Sequence, residues 1–249
     1  MSERGIVTNG LVIRAADHGD NDRLVTALTA ERGKLFFTAK GIKSTKNKNR
    51  AGCSLFSYSE FVLNERGGYY VLSECTPRKM FPGIEKDIES MYVACYICEV
   101  VDFVCMDGAE ENDILRLALN SLYALSEKIR PADFVKTVFE TRLLLSLGVM
   151  PPFDGCALCG SDDEKLYFSL SDGDVLCQSC LSREEKKDAY QITPEALKFF
   201  TYENSCDHKK IYGTEPPDEC ASGIAERYLV SSLGRGFVSL SQYKKLKKK

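Results

Sequence analysis

The cysteines are where this sequence can do chemistry. Cys156 and Cys159 form one C-x2-C pair, and Cys177 and Cys180 form a second after seventeen intervening residues. Each pair can turn two sulfurs toward a common point, and Gly160 permits the turn after the first. Four thiolates at this spacing complete a tetrahedron around one Zn2+ and leave no coordination position open. The ion expected is therefore structural, and its ligation free energy is folding free energy. Two redox pairs would need a βαβ context that the sequence lacks, and an iron–sulfur centre is the other metal reading left open. A third C-x2-C, Cys95 and Cys98, lies inside an apolar stripe of helical period and reads as core. The cysteine total is eleven, an odd number, and most sit in apolar segments. They read as free thiols in a reducing compartment.

The second feature is a run of cations. Arg32, Lys34, Lys40, Lys43, Lys46, Lys48 and Arg50 occur with no acidic residue among them. The net charge of −3 is unevenly spread: residues 1–80 carry 13 Lys and Arg against 8 Asp and Glu, and residues 81–130 carry 4 against 10. A polyanion is drawn to the first part and repelled by the second. Long cations on a loop suit phosphates; of Phe36, Phe37, Tyr58, Tyr69 and Tyr70 on adjacent strands some can stack on unpaired bases, although each taken singly reads as core. The candidate nucleic-acid contacts are Arg14, Arg23, Lys34, Lys40, Lys43, Lys46, Lys48 and Arg50. Lysines 244, 245, 247, 248 and 249 make a second basic stretch, read as a solubilising tail.

The elements that must position these residues follow from periodicity. Alternation predicts strands near 6–14, 23–29, 34–39, 56–63 and 69–72, with Gly67 and Gly68 as a hairpin turn and 41–52 as a flexible loop. Five short strands suggest a small closed barrel, OB-like or SH3-like. Helical spacing begins after Pro82, with helices near 91–105, 114–125 and 131–148. Thr193 and Pro194 open a further helix, and a last one runs from about 218 to 233. The fold expected is α+β: an N-terminal five-stranded barrel (1–80), for which the resemblance given below implies an OB-fold, a helical domain (81–150), a four-cysteine zinc module (151–185), and C-terminal helices packing on the helical domain (186–249).

Other functions are argued against. There is no G-x-x-x-x-G-K-[ST] phosphate loop, no G-x-S-x-G elbow and no cluster for metal-dependent nuclease chemistry. The two histidines, His18 and His208, read as turn and surface residues, so no enzyme is expected. No run approaches the ~20 apolar residues that span a bilayer. Residues 1–5 have no apolar segment behind a basic one, so neither membrane association nor a secretory signal is expected.

The residues resemble one family. GLVIR at 10–14, HGDNDRLVTALTAERGKL at 18–35 and AKG at 39–41 are similar to the N-terminus of the bacterial RecO family of repair and recombination mediators. The likeness continues through LG at 147–148, the cysteine knuckles, YLVSSLGR at 228–235 and SL at 239–240. The resemblance implies an OB-fold, a helical domain and a zinc module. It implies binding of single- and double-stranded DNA and annealing of complementary strands, without nucleotide hydrolysis. It further implies help in loading the RecA recombinase onto strands coated by single-strand-binding protein, whose tail docks on the helical region, with RecR as partner. A cytoplasmic, nucleoid-associated protein is expected. The rival reading is a protein adaptor whose helical and zinc parts dock partners while the barrel is a scaffold.

Overall fold

Alternation along the first eighty residues becomes five strands: β1 (Gly5–His18), β2 (Asp22–Thr29), β3 (Gly33–Ala39), β4 (Tyr58–Arg66) and β5 (Tyr69–Lys79). In the computed structural model the described residues are 5–162, 165–184 and 188–248, and Lys249 of the basic tail lies outside them. The strands close into a barrel in the order β1-β2-β3-β5-β4, an OB-fold. Inward positions supply the core: Val12, Val25, Ala27, Leu35, Phe37, Phe61 and Leu63 are all buried, with the rings of Phe37 and Phe61 5.0 Å apart. A bulge in β1 between Val12 and Arg14 shifts the phase, so Ala15 packs inward and Arg14 faces out. Gly67 and Gly68, both at positive φ, make the two-residue turn that joins β4 to β5. Closure is completed by a short parallel pairing of Phe37 with Tyr70 and Thr38 with Val71.

The segment between β3 and β4, expected as a flexible loop, is a chain of hydrogen-bonded turns. Ser44, Asn47 and Arg50 each donate a backbone N–H to the carbonyl three residues back. Ile42 and Cys53 are buried in the barrel core, which anchors the segment and leaves its lysines outside. Asn49 docks it on β5, accepting from the Cys75 N–H at 3.1 Å and donating to the Ser73 carbonyl at 3.3 Å.

The barrel belongs to a unit formed by Met1–Ile129 and Phe237–Lys249. It includes α1 (Ile88–Val104), whose first turn is capped by Asp87 accepting from the Ser90 N–H, and α2 (Asn112–Ser126). The loop between them returns to β3, where Lys34 donates its N–H to the Met106 carbonyl and Gly108 to that of Arg32. Gly33 makes this approach possible. Its φ is 56°, and a Cβ there would stand 1.9 Å from the Met106 oxygen.

The basic tail is not a solvated extension but a helix, α7 (Val238–Lys247), laid on α1. Phe237 meets Tyr96 and Phe103 edge-on, and Leu240 and Tyr243 are buried. Glu99 of α1 accepts from the Val238 and Ser239 N–H groups, while Lys247 pairs with Glu89 at 3.2 Å, so the two helices run antiparallel.

The second unit is Arg130–Gly236. It holds α3 (Ala132–Ser146), a sheet of β6 (Leu166–Ser169), β7 (Asp174–Cys177) and β8 (Ala189–Gln191) in the order β7-β6-β8, the short α4 (Gln178–Arg183), α5 (Pro194–Ser205) and α6 (Glu219–Ser232). Thr193 caps α5, with Pro194 in its first turn, and Asp218 caps α6. Helix α3 is buried nearly all round, so its charges are internal. Lys136 bonds Glu140 at 3.0 Å and Glu226 of α6 at 3.1 Å; burial opposes its charge, and the two carboxylates more than restore it. Arg142 donates to the Glu203 and Cys206 carbonyls and so caps the end of α5. Among the described residues no helix is long and apolar enough to cross a membrane.

Two outcomes follow. Gly33→Ala must force an unfavourable φ and push back the Met106 carbonyl, and is expected to cost about 1–3 kcal/mol in denaturant unfolding. Glu203 is fully buried, and burial, only partly offset by Arg142, pushes its carboxyl up to about 8, with Cys206 and His208 beside the same guanidinium. An unfolded chain releases that proton near about 4.3. Between these values the folded state binds the extra proton, so the stabilisation is full at low pH and is lost as pH rises through 8. Unfolding followed from pH 5 to 9 is expected to show a decline on the order of a few kcal/mol. Glu203→Gln should flatten that part of the slope.

Candidate functional site

Two sites emerge, one in each unit. In the second unit, the first cysteine knuckle is built by short backbone hydrogen bonds: the Cys156 N–H donates to the Ser161 carbonyl at 2.7 Å and the Gly160 N–H to the Cys156 carbonyl at 2.8 Å. The Ala157 N–H donates to the Val175 carbonyl at 2.8 Å, which ties the knuckle to β7. Cys177 ends β7 and Cys180 lies in the first turn of α4, so the second pair arrives on a hairpin-to-helix turn. All four sulfurs lie within 4.8 Å of one another, with Cys159 and Cys177 at 3.7 Å. A tetrahedron with metal–sulfur bonds of about 2.3 Å has edges of about 3.8 Å, so the four fit a single metal ion. Cys156, Cys177 and Cys180 are buried and Cys159 is exposed. Desolvation opposes ionisation of Cys156, but backbone N–H groups of Cys177, Cys159 and Leu158 outweigh it and bring the thiol down to about 6. Stacked rings hold this module to the helices: Phe153 lies 6.0 Å from Phe168 of β6 and 4.4 Å from Phe200 of α5.

Cys95 and Cys98 fall in α1 as expected from their spacing, with Cys98 buried and its thiol pushed up by desolvation. Among the described residues they belong to no metal-binding cluster.

In the first unit, the eight candidate cations do not form one cluster. Arg23 lies on the inward phase of β2, at the end of the barrel, and bonds Asp17 at 3.1 Å. Lys43 reaches the same carboxylate at 3.1 Å and the Gly19 carbonyl at 2.9 Å. Lys43 and Arg23 together hold the Asp17 carboxyl below the usual carboxylate range. Lys34 turns toward α1, bonding the Asp102 carbonyl at 2.6 Å. Lys48 pairs with Glu74 at 2.9 Å, but with side chains 76% and 60% exposed this contact is worth about 0–1 kcal/mol. Carboxylates absent from the basic segment thus arrive from β1, β5 and α1. Arg14, Lys40, Lys46 and Arg50 are exposed and have no ion pair among the described residues.

Strand register shows what surrounds Arg14. Arg14 pairs with Thr26, and Thr26 with Phe36, making one row across the outer face of β1, β2 and β3. The next row is Ala16, Leu24, Thr38 and Val71. Leu24 and Phe36 are 44% and 43% exposed while Thr26 is buried, so this face is open to solvent in part and partly apolar. On the inward phase, Phe37 is core and Tyr70 packs against it, while Tyr69 stands 77% exposed. Leu24 and Thr38 escaped the sequence reading. The signal was the same alternation that placed Val25 and Ala27 inside, once the phase of β2 is fixed.

Comparison with known proteins agrees with this architecture. Family models described as "Recombination protein O N terminal" and "Recombination protein O C terminal" match residues 1–81 and 85–241. The chain is 31% identical over 243 residues to the DNA repair protein RecO of Acetivibrio thermocellus, covering 96% of each chain. It is 28% identical over 239 residues to that of Caldanaerobacter subterraneus subsp. tengcongensis, covering 95% of this chain and 96% of the relative. With the protein of Desulfitobacterium hafniense DCB-2 it shares 33% identity over 174 residues, 69% of this chain and 63% of the relative.

Removing a metal ion from the four-cysteine site should expose the thiols and loosen the second unit. Chelation under reducing conditions is expected to lower the melting temperature by several degrees and to make four further thiols reactive. Cys180→Ser should give the same loss without chelator.

Proposed function

Because the chain belongs to the RecO family of DNA repair proteins, we propose that it is a DNA-binding recombination mediator. It anneals complementary single strands and helps load the RecA recombinase onto strands coated by single-strand-binding protein, acting with RecR and hydrolysing no nucleotide. The observation that carries this reading is the outer barrel face with its margin of unpaired cations. Arg14, Lys40, Lys46 and Arg50 offer charge without a carboxylate partner among the described residues. The exposed pair of Lys48 with Glu74 can exchange its carboxylate for a phosphate at little cost, whereas Lys43 is only partly exposed and also donates to the Gly19 carbonyl. Arg23 and Lys34, held by Asp17 and Asp102, support the barrel end and the α1 contact more than they offer free charge.

Annealing is limited by repulsion between two polyanions. A cationic surface that engages both strands lowers it, and contacts to phosphates leave base edges free to pair. The metal is Zn2+ and its role is structural. Four thiolates close the tetrahedron, leaving no position for water or substrate, which also supports a non-enzymatic protein.

The test is annealing of complementary strands, bare and coated, with salt-dependent binding measured alongside. Replacing Lys40, Lys46 and Arg50 together with Ala is expected to slow annealing and to reduce the salt slope for single strands by roughly 2, at about 0.7 per phosphate contact. An unchanged slope removes these residues from the interface. A wild-type chain that binds partner proteins but does not speed annealing supports the adaptor reading instead.

A further inference from the structure

An open cleft of about 670 Å3 lies beside the outer barrel face, between the β2–β3 turn, the β4–β5 hairpin and the α1–α2 loop. Its size is that of sites for small organic ligands. Phe36, Tyr69 and Tyr70 line it, together with Arg32, Glu31 and Asp107. Phe37 and Tyr70 are register partners across the β3–β5 seam, so Phe36 and Tyr69, one residue before each, flank the same point of the sheet. Both rings are exposed, Tyr69 by 77%. Lys34 also borders the cleft, but its ammonium is bound to Asp102.

The charges inside the cleft decide what it can hold. The lining carries Arg32 and Lys34 against Glu31 and Asp107, and Lys34 is further paired with Asp102, so there is no surplus positive charge for a phosphate. Carboxylates repel phosphate but accept from the exocyclic amino groups of bases. The cleft therefore favours an uncharged aromatic ring bearing amino groups. Phosphates are better placed outside it, where Arg14 stands on the outer face and the exposed Lys40 follows the end of β3. A duplex keeps its bases paired and stacked, so only a single strand can supply such a ring. We propose that this cleft receives one unstacked nucleobase of a bound single strand, with Tyr69 and Phe36 as stacking surfaces. The assignment rests on the DNA-binding reading above and adds a means of telling single strands from duplex.

The probe is a single-stranded oligonucleotide carrying one 2-aminopurine, whose fluorescence is quenched by stacking, mixed with the full chain. Quenching is expected on binding. Tyr69→Ala and Phe36→Ala should each relieve it and weaken single-strand affinity by roughly 5- to 100-fold, lowering the ratio of single-strand to duplex affinity. Tyr69→Phe, which keeps the ring, should retain both. If the two alanine variants bind with wild-type affinity and quenching, the cleft takes no base, while the phosphate-binding face stands. If the wild-type chain binds no DNA in low salt, the DNA-binding reading fails, and this assignment with it.

Discussion

Closure of the barrel depends on a short parallel seam. β3 and β5 pair at Phe37 with Tyr70 and at Thr38 with Val71, whereas every other pairing in the barrel is antiparallel. A parallel neighbour cannot be reached by a tight turn. The chain must leave the end of β3, cross the barrel end and run back through β4 before β5 can dock. That requirement creates the segment between Ala39 and Tyr58, and Ile42 and Cys53 seal the core as it passes. Its lysines face outward because its apolar residues are held inside. The same seam sets Phe36 beside Tyr69 and continues the outer face across to Val71.

The two units use opposite means to hold their polar groups. In the first, charged contacts stay at the rim, between partly exposed partners such as Lys43 and Asp17 or Lys48 and Glu74, where solvent screens them and a polyanion can compete. In the second, Lys136, Glu140 and Glu226 are matched internally, and Arg142 directs its guanidinium at carbonyls at the end of α5. Such pairs are costly to break one partner at a time. A metal ion held by the cysteine module would add a further crosslink where secondary structure is scant, for β6, β7 and β8 are only three or four residues long.

Much of this was legible in the sequence because the barrel strands alternate and the helices repeat with distinct caps. Thr193 with Pro194 marked α5, and Asp218 opened α6 where expected. The four cysteines needed only their spacing. What stayed hidden were properties of three-dimensional pairing. Asp17, Glu74 and Asp102 are far from their lysines in sequence, so a segment without acids reads as unneutralised when three of its seven cations are met. Strands of three or four residues are too short to show alternation, and the β7-β6-β8 sheet went unseen. The lysines of α7 masked Phe237, Leu240 and Tyr243, which recur every third residue and pack on α1. The burial of Lys136 and Glu140 was not legible, because one sequence does not show whether another helix covers a polar helix face.

The return of α7 to α1 sets the order in which the protein can be completed. The ribosome finishes α1 early, yet the Phe237 ring that covers Tyr96 and Phe103 emerges only after the whole of Arg130–Gly236 has been made. At roughly 5–20 residues per second, those aromatics stay uncovered for about ten seconds of synthesis. The nascent chain thus carries a finished barrel beside an open greasy flank, and its first unit is sealed by its last helix.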